Sequence, residues 1–166
     1  MKNKQQEKRF YSKRKFMLEA RNEAMKAVKS GDGGPFGAII VKNGKIISKA
    51  HNMVIALNDP TAHAEVLAIR KACQKLKSYS LTECEIFSSC EPCPMCLSAI
   101  YWARIPKLYY GCTRDDAEKI GFDDNFLYKI FLGKRTKKNI KKQKIYRREI
   151  LKIFKSWENK KDKILY

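Results

Sequence analysis

Two short segments of this sequence carry side chains that can bind a metal ion and move a proton beside it. His63 and Glu65 are separated by one residue, and Cys93 and Cys96 form a Cys-x-x-Cys motif that follows a proline. One histidine and two cysteines can hold zinc through three protein ligands, which leaves the fourth tetrahedral position for a water molecule that the metal activates. Glu65 can carry protons to and from that water. Together the segments predict a hydrolytic zinc site.

Both segments lie where a helix is predicted to begin. Residues 58–61 (Asn-Asp-Pro-Thr) indicate a turn with an N-cap candidate and a proline suited to a first helical turn, and Pro94 follows Cys93 in the same way. The partial positive charge at a helix N-terminus favours the thiolate over the thiol, and the thiolate is the form that binds metal. The predicted helix starts therefore favour metal binding.

Each motif taken alone has other interpretations. A Cys-x-x-Cys pair can be redox-active, and Cys90, three residues before Cys93, makes an iron–sulfur cluster conceivable. A cluster would need a fourth ligand and would leave His63 and Glu65 without a role. The occurrence of both motifs in order, each at a predicted helix start, favours the zinc site.

The length of 166 residues is typical of one domain, and we expect residues 1–166 to form it. The basic start of the chain lacks the apolar run of a secretory signal, and no apolar stretch approaches the length of a membrane span. The six cysteines, two of them needed as thiolates, fit a reducing compartment better than a disulfide framework. We expect a cytoplasmic protein that does not associate with membranes.

The formal net charge of +19 is concentrated at the two ends of the chain. The N-terminal segment 1–15 holds 7 Lys/Arg and 1 acidic residue, the C-terminal segment 133–166 holds 14 and 3, and the residues between them are nearly neutral. Basic ends of this kind can bind a nucleic-acid backbone, but a solvated lysine-rich surface has the same composition. Lysine dominates and lacks the bidentate geometry of arginine, which favours the solvated surface.

The spacing of apolar residues predicts an α/β domain in which helices and strands alternate. An Asn-Gly pair at 43–44 predicts a hairpin, and the later alternation predicts a parallel pair of strands. The predicted helices cover 16–29, 63–76, 94–103, 113–120, 126–132 and 149–157, and the predicted strands cover 36–42, 45–51, 84–88, 106–112 and, at an edge, 144–148.

Four segments resemble the small bacterial guanine deaminases, which belong to the cytidine deaminase superfamily. They are Gly33-Gly34-Pro35-Phe36-Gly37-Ala38, Asn58-Asp59-Pro60-Thr61-Ala62-His63-Ala64-Glu65, Cys90-Glu91-Pro92-Cys93-Pro94-Met95-Cys96 with Ile100-Tyr101-Trp102-Ala103, and Gly121-Phe122-Asp123-Asp124. The zinc motifs are shared by the whole superfamily. The Gly-Phe-Asp-Asp turn and the Tyr-Trp-Ala segment point to guanine. The resemblance covers most of residues 16–132 and is weaker beyond them.

This resemblance implies a three-layer α/β/α fold with a central five-stranded mixed sheet, and zinc-dependent hydrolysis of the purine guanine to xanthine and ammonia. It implies one Zn²⁺ per subunit on His63, Cys93 and Cys96, with Glu65 as the catalytic proton shuttle. The implied substrate-binding residues are Asn52, Asp124, Phe36, Trp102 and Tyr166. It also implies a homodimer in which the C-terminal segment crosses to the partner subunit, so that Tyr166 acts in trans.

The chemistry of guanine agrees with these positions. Its N1–H and exocyclic amine are donors that the carboxylate of Asp124 can accept, and its O6 and N7 are acceptors that the amide of Asn52 can serve. Simpler interpretations also exist: Asn52 can satisfy its own backbone, and Asp124 can lie in a solvated turn. Two aromatic residues, Phe36 and Trp102, can belong to the core, and a C-terminal Tyr166 can be a frayed end.

Two other functions use some of the same features. A tRNA-specific adenosine deaminase shares the zinc motifs and would bind RNA through the basic ends, but adenine N1 is an acceptor and suits the carboxylate of Asp124 badly. A nucleic-acid-binding protein with a structural zinc would need no proton carrier such as Glu65 and would usually have four protein ligands. We therefore expect a guanine deaminase, with the tRNA-specific enzyme or a related nucleoside deaminase as the alternative.

Overall fold

The structure, a computed structural model, describes residues 2–134 and 140–164. The chain divides into two compact units, Met1–Tyr128 and Lys129–Tyr166. In chain order the described elements are α1 (Lys2–Ser30), β1 (Gly37–Lys42), β2 (Lys45–His51), α2 (Val54–Leu57), α3 (Ala64–Leu76), β3 (Cys84–Cys90), α4 (Pro94–Trp102), β4 (Lys107–Cys112), α5 (Arg114–Lys119), α6 (Asn125–Phe131) and α7 (Arg147–Glu158).

A mixed sheet with the strand order β2-β1-β3-β4 forms the centre of the first unit. Strand β1 pairs antiparallel with both β2 and β3, and β3 pairs parallel with β4. The β1–β2 hairpin turns at Asn43 and Gly44, whose φ angles of 50° and 73° are those that an Asn-Gly turn provides. Both the predicted hairpin and the predicted parallel pair are confirmed.

Alternate residues of β1 face opposite layers of helices, as the two-residue period of a strand requires. Ile39 and Val41 pack with Phe16 and Ala20 of α1 on one side. On the other side Ile40 packs in a larger core with residues of α3 and α4, including Ala64, Ala68, Ala72 and Ile100. The sheet therefore lies between helices on both faces, in an α/β/α arrangement.

The expectation of five strands is wrong for the described residues, which contain four. The segment 144–148 was predicted as the edge strand, but Tyr146 has a left-handed backbone (φ 51°) and Arg147 begins α7. Its two apolar residues, Ile145 and Tyr146, are adjacent in sequence and both exposed. Adjacent residues point to opposite faces of a strand, so this segment offers no apolar face with which to join a sheet.

Two helices differ from prediction. Helix α1 begins at Lys2 instead of residue 16, because the residues that precede 16 are mostly Lys, Arg, Gln and Glu, which are good helix formers. Helix α2 has only four residues and was not predicted. No helix in the described part of the chain is both long enough and apolar enough to cross a membrane.

Gly37 lies directly against the backbone of α1, where there is no room for a side chain. A Cβ atom at this position would lie 2.2 Å from the carbonyl oxygen of Ala20 and 2.3 Å from the amide nitrogen of Ala24. Because both atoms belong to the helix backbone, α1 would have to move away. Gly37→Ala should lower the free energy of unfolding, measured in urea, by about 1–3 kcal/mol, the range for overpacked cores.

The matched control is Gly44→Asn, since Gly44 lies in open space at a left-handed turn position that asparagine tolerates. That change should cost less than about 1 kcal/mol. Equal stability of the two variants would contradict the close packing of α1 on β1.

Candidate metal centre and active site

Two helix N-termini position the candidate metal ligands. His63 is the N-cap residue of α3, and Cys93 is the N-cap residue of α4, with Pro94 in the first helical turn. Strand β3 ends at Cys90 and leads directly into the loop that carries Cys93. The two helix starts predicted from the sequence are confirmed, and they bring ligands from distant parts of the chain together.

The three ligand atoms form a compact triangle. The Nδ1 of His63 lies 3.6 Å from the Sγ of Cys93 and 3.4 Å from the Sγ of Cys96, and the two sulfurs are 3.6 Å apart. A tetrahedral zinc ion with ordinary Zn–S and Zn–N bonds would require separations of about 3.8 Å and about 3.6 Å. The donor set therefore fits zinc with one open position, and it is a group that could hold a metal ion among the described residues.

His63, Cys93 and Cys96 share protons through hydrogen bonds with one another, which favours the thiolate form of Cys93. The hydrogen bond with Cys96 and the neighbouring His63 lower the pKa of the Cys93 thiol to about 4, despite its burial. The hydrogen bond with the Cys93 thiolate also raises the pKa of His63, and the same neighbour raises the pKa of the Cys96 thiol. A bound metal ion would replace the shared protons, because the ligating forms are the neutral imidazole and the two thiolates.

Glu65 lies in the first turn of α3 and is buried, with 5% of its surface exposed. Burial raises the pKa of its carboxyl group, and a hydrogen bond from Ser88 opposes part of that effect. The Ser88 hydroxyl donates to Oε1 of Glu65 at 2.7 Å. Glu65 can therefore hold a proton in a fixed orientation beside the metal ligands, as a proton shuttle must.

Cys90 lies beside this centre without joining it. Its thiol donates to the carbonyl oxygen of Thr113 at 3.4 Å, and burial is the main cause that raises its pKa to about 12. The metal-binding group described above consists of His63, Cys93 and Cys96 alone.

A cavity of about 570 Å³ opens onto the metal ligands, within the size range of small-molecule sites. It brings together three of the predicted substrate-binding residues, Phe36, Asn52 and Asp124. The full set of described residues that line it is Val28, Gly33, Gly34, Pro35, Phe36, Asn52, Val54, Ile55, Pro60, His63, Glu65, Cys90, Glu91, Cys93, Phe122 and Asp124.

Asn52 contacts the backbone on one side and the cavity on the other. Its Oδ1 accepts the amide N–H of Gly34 at 3.3 Å and that of Val54 at 3.2 Å. A Cβ atom on Gly33 would lie 2.1 Å from the same oxygen, so only glycine fits there. The simpler interpretation of Asn52 as a backbone-binding residue therefore holds for its oxygen, while its amide nitrogen is left to donate to a ligand.

Asp124 is a half-buried carboxyl group in the cavity wall. Burial and the nearby Cys93 thiolate raise its pKa to about 6. Its backbone carbonyl accepts the amide of Leu127, which ties it to the start of α6. Phe122, two residues earlier, packs edge-on against Phe36 with the ring centroids 4.9 Å apart. A charged acceptor and an aromatic pair thus share one wall.

One described residue of the predicted substrate-binding set does not line this cavity. Trp102 ends α4 with 67% of its surface exposed and is not among the lining residues described above. Tyr166 lies outside the described residues. Sequence reasoning in turn missed Phe122, Ser88 and the α2 residues Val54 and Ile55. The glycine before Phe122 and its position near Asp124 were the available signal for that residue, whereas Ser88 and the short α2 carried none.

Comparison with known proteins agrees with this arrangement. Residues 11–112 match the family model for the cytidine and deoxycytidylate deaminase zinc-binding region. The guanine deaminase of Bacillus subtilis (strain 168) is 48% identical over 144 residues, which are 87% of this chain and 92% of that protein. An X-ray structure of guanine deaminase from Bacillus subtilis matches with a TM-score of 0.87 and 46% identity, over 92% of this chain and 98% of that one.

A tRNA-specific adenosine deaminase of Aquifex aeolicus (strain VF5) is 50% identical over 96 residues, which are 58% of this chain and 63% of that protein. The similarity to the Bacillus guanine deaminase thus covers a larger share of both proteins than the similarity to the Aquifex enzyme does. The matched residues include the three candidate metal ligands, His63, Cys93 and Cys96, and also Glu65. The chain therefore belongs to the cytidine and deoxycytidylate deaminase family, whose zinc-binding region it carries.

Proposed function

We propose that this protein hydrolyses guanine to xanthine and ammonia. The observation that carries the proposal is the cavity in which Asp124 and Asn52 lie with His63, Cys93 and Glu65. The extent of the similarity to the Bacillus guanine deaminase supports the same conclusion. One molecule of water replaces the 2-amino group, so the reaction needs an activated water molecule, a proton carrier and a wall that binds the base.

The reacting end of the cavity is formed by the metal ligands and Glu65. His63, Cys93 and Cys96 would hold the zinc ion, which would supply a water molecule of lowered pKa as the nucleophile at neutral pH. Glu65 would accept a proton from the attacking water and deliver it to N3 of the base, and would then accept the proton of the new hydroxyl group at C2 and deliver it to the departing amine. Because burial raises its pKa, the Glu65 carboxyl group can hold a proton between the two transfers.

The other end of the cavity recognises the base. Asp124 is still mainly ionised at pH 7 with a pKa of about 6, so it accepts the donors of the guanine edge. The amide nitrogen of Asn52 donates to an acceptor of the base, since its oxygen is occupied by two backbone amides. Phe36 and Phe122 form an aromatic wall for the flat ring. Trp102 and Tyr166 are assigned to substrate binding by resemblance alone.

The test of this function is ammonia release by the zinc-loaded protein from guanine, guanosine, adenine, cytosine, cytidine and a tRNA anticodon-loop oligonucleotide. Selective release from guanine supports the proposal. Release from the oligonucleotide alone would replace it with tRNA editing, the second candidate, which the similarity to the Aquifex enzyme and the basic ends of the chain favour.

We further propose that the whole chain acts as one deaminase domain in a homodimer, with the segment 133–166 crossing to a partner. Helix α7 supports this because its apolar residues Ile150, Ile153, Phe154 and Trp157 are all at least 44% exposed. An amphipathic helix of this kind normally buries its apolar face.

All six cysteines are free, which supports a reducing, cytoplasmic location.

Glu65→Gln should abolish turnover without removing zinc. The amide keeps the size of the side chain but cannot take up a proton, so kcat should fall by at least about 10²-fold. Zinc content, measured by atomic emission, should equal that of the wild type because Glu65 is not one of the ligands. The control is Glu85→Gln, at a surface ion pair with Lys107. Wild-type kcat in Glu65→Gln would remove the assigned role.

The pH profile should depend on Asp124. Its carboxylate form accepts the guanine donors, and its raised pKa means that this form is lost as the pH falls through about 6. The kcat/KM for guanine should therefore decline below that pH. In Asp124→Asn, kcat/KM should be lower throughout and should lack this decline. An identical acidic limb in both proteins would show that another group titrates there.

Subunit mixing tests the role of Tyr166. A Glu65→Gln protein and a protein that lacks Tyr166 should each be poorly active, because one has no proton shuttle and the other has no lid. If Tyr166 acts in trans, dissociation and reassembly of the mixture should restore turnover in the mixed dimers. Light scattering should give the mass of a dimer for each protein. A mixture no more active than its components would contradict action in trans.

A further inference from the structure

His51 joins two carboxyl groups from a part of the chain that lies well before it in sequence. Its Nε2 donates to Oδ2 of Asp32 at 2.8 Å, and its Nδ1 lies 3.5 Å from Oε2 of Glu23. Glu23 belongs to α1 and is 5% exposed, while Asp32 lies in the loop between α1 and β1. His51 is the last residue of β2. The ring therefore ties α1, the loop and the end of β2 to each other.

Asp32 extends this connection to the cavity wall. Its backbone carbonyl accepts the amide hydrogens of Ile55 and Ala56, both at 3.0 Å, and so holds the N-terminal part of α2. Ile55 lines the cavity, as do Gly33 and Gly34, which follow Asp32 directly. The backbone of Asp32 thus connects two parts of the wall, while its carboxylate is held by His51 and by the hydroxyl of Ser30 at 2.6 Å.

Asn52 is held between the loop that contains Gly34 and the start of α2. It follows His51 in sequence, and its Oδ1 accepts the amides of Gly34 in the loop and Val54 in α2. The backbone N–H of Asn52 donates to the carbonyl oxygen of Phe36 at 2.9 Å. A shift of the loop relative to β2 would break these bonds and turn the Asn52 amide away from the cavity.

We propose that His51 is a positioning residue, which acts through Asp32 to fix the loop 33–36 and the amide of Asn52 in the orientation that binds the base. This inference rests on the proposed function for the identity of the base. None of the three residues Glu23, His51 and Asp32 is among those that line the cavity, so their effect on the ligand is indirect.

The competing explanation is that His51 only satisfies the buried carboxylate of Glu23. In that case its loss would lower stability without a specific effect on the loop. Glu23 has a second partner, Lys26, whose Nζ lies 2.6 Å from Oε1. The two explanations differ in what happens to four amide hydrogens, those of Gly34, Val54, Ile55 and Ala56, and in the separation of KM from kcat.

The first arm of the test is hydrogen exchange of the full-length, zinc-loaded protein, which requires no substrate. His51→Ala should accelerate exchange in peptides that cover 33–36 and 53–57 by about tenfold or more, because these amides lose their fixed acceptors. Asp32→Ala should do the same although its backbone carbonyl remains. His51→Gln, whose amide can still donate to Asp32, should restore much of the protection. These two variants also carry the test if His51→Ala does not fold.

The matched control is Lys49→Ala. Lys49 also connects β2 to α1, through an ion pair with Glu19, but it does not contact the loop. The Lys49→Ala variant should leave hydrogen exchange in both peptides unchanged. If loss of any contact between α1 and β2 were enough to loosen the loop, Lys49→Ala would accelerate exchange as His51→Ala does.

The second arm measures kinetics with guanine, or with whichever base the wild-type protein deaminates if guanine fails. His51→Ala should raise KM by about tenfold with kcat nearly unchanged, since base binding is lost while Glu65 and the metal ligands stay in place. The Gln variant should lie between Ala and wild type. Unchanged exchange at 33–36 and 53–57 would overturn the inference whatever the substrate is. Faster exchange with an unchanged KM would overturn it as well, because the role would then be structural alone.

Discussion

The meeting of two helix N-termini at the edge of the sheet is the constraint on which this structure depends. Each terminus carries a partial positive charge, so two of them placed side by side repel each other unless negative charge lies between them. The thiolate of Cys93 provides that charge at the start of α4, opposite His63 at the start of α3. Fully buried alanines, including Ala68 and Ala72, allow α3 to lie close enough to the sheet for its first turn to reach the other helix.

The same constraint separates the roles of two carboxyl groups. Glu65 lies in the first turn of α3, where burial is complete enough to favour its protonated form and Ser88 fixes its orientation. Asp124 comes from the turn before α6, where it is only half-buried and its pKa is raised to about 6. A deeply buried carboxyl group and a half-buried one can therefore take different roles in one site, the first as a proton carrier and the second as an acceptor at neutral pH.

Local signals in the sequence predicted much of the fold and the centre of the site. The ligand spacing, the helix-start residues and the hairpin turn are local, and the helix starts at His63 and Cys93 and the β1–β2 pair were therefore predicted correctly. Contacts made over long sequence separations left no such signal. In the sequence, Ser88 is an ordinary residue of a strand, and only the fold places its hydroxyl group against Glu65. Phe122 likewise forms part of the cavity wall only because the fold packs it against Phe36. The prediction of a strand at 144–148 was wrong because a segment without an apolar face has nothing that fixes its pairing with a neighbouring strand.

The thiol of Cys90 decides what kind of metal site this family centre can be. Cys90, Cys93 and Cys96 are evenly spaced, and three thiolates with His63 would close the coordination shell, as in zinc sites that only stabilise a fold. Cys90 ends β3 instead, with its S–H bound to the carbonyl oxygen of Thr113 and a pKa of about 12. Its sulfur is engaged by this carbonyl group and is not one of the three metal ligands. The end of β3 thus leaves the fourth coordination position to the reactant, where a third sulfur would have closed the site.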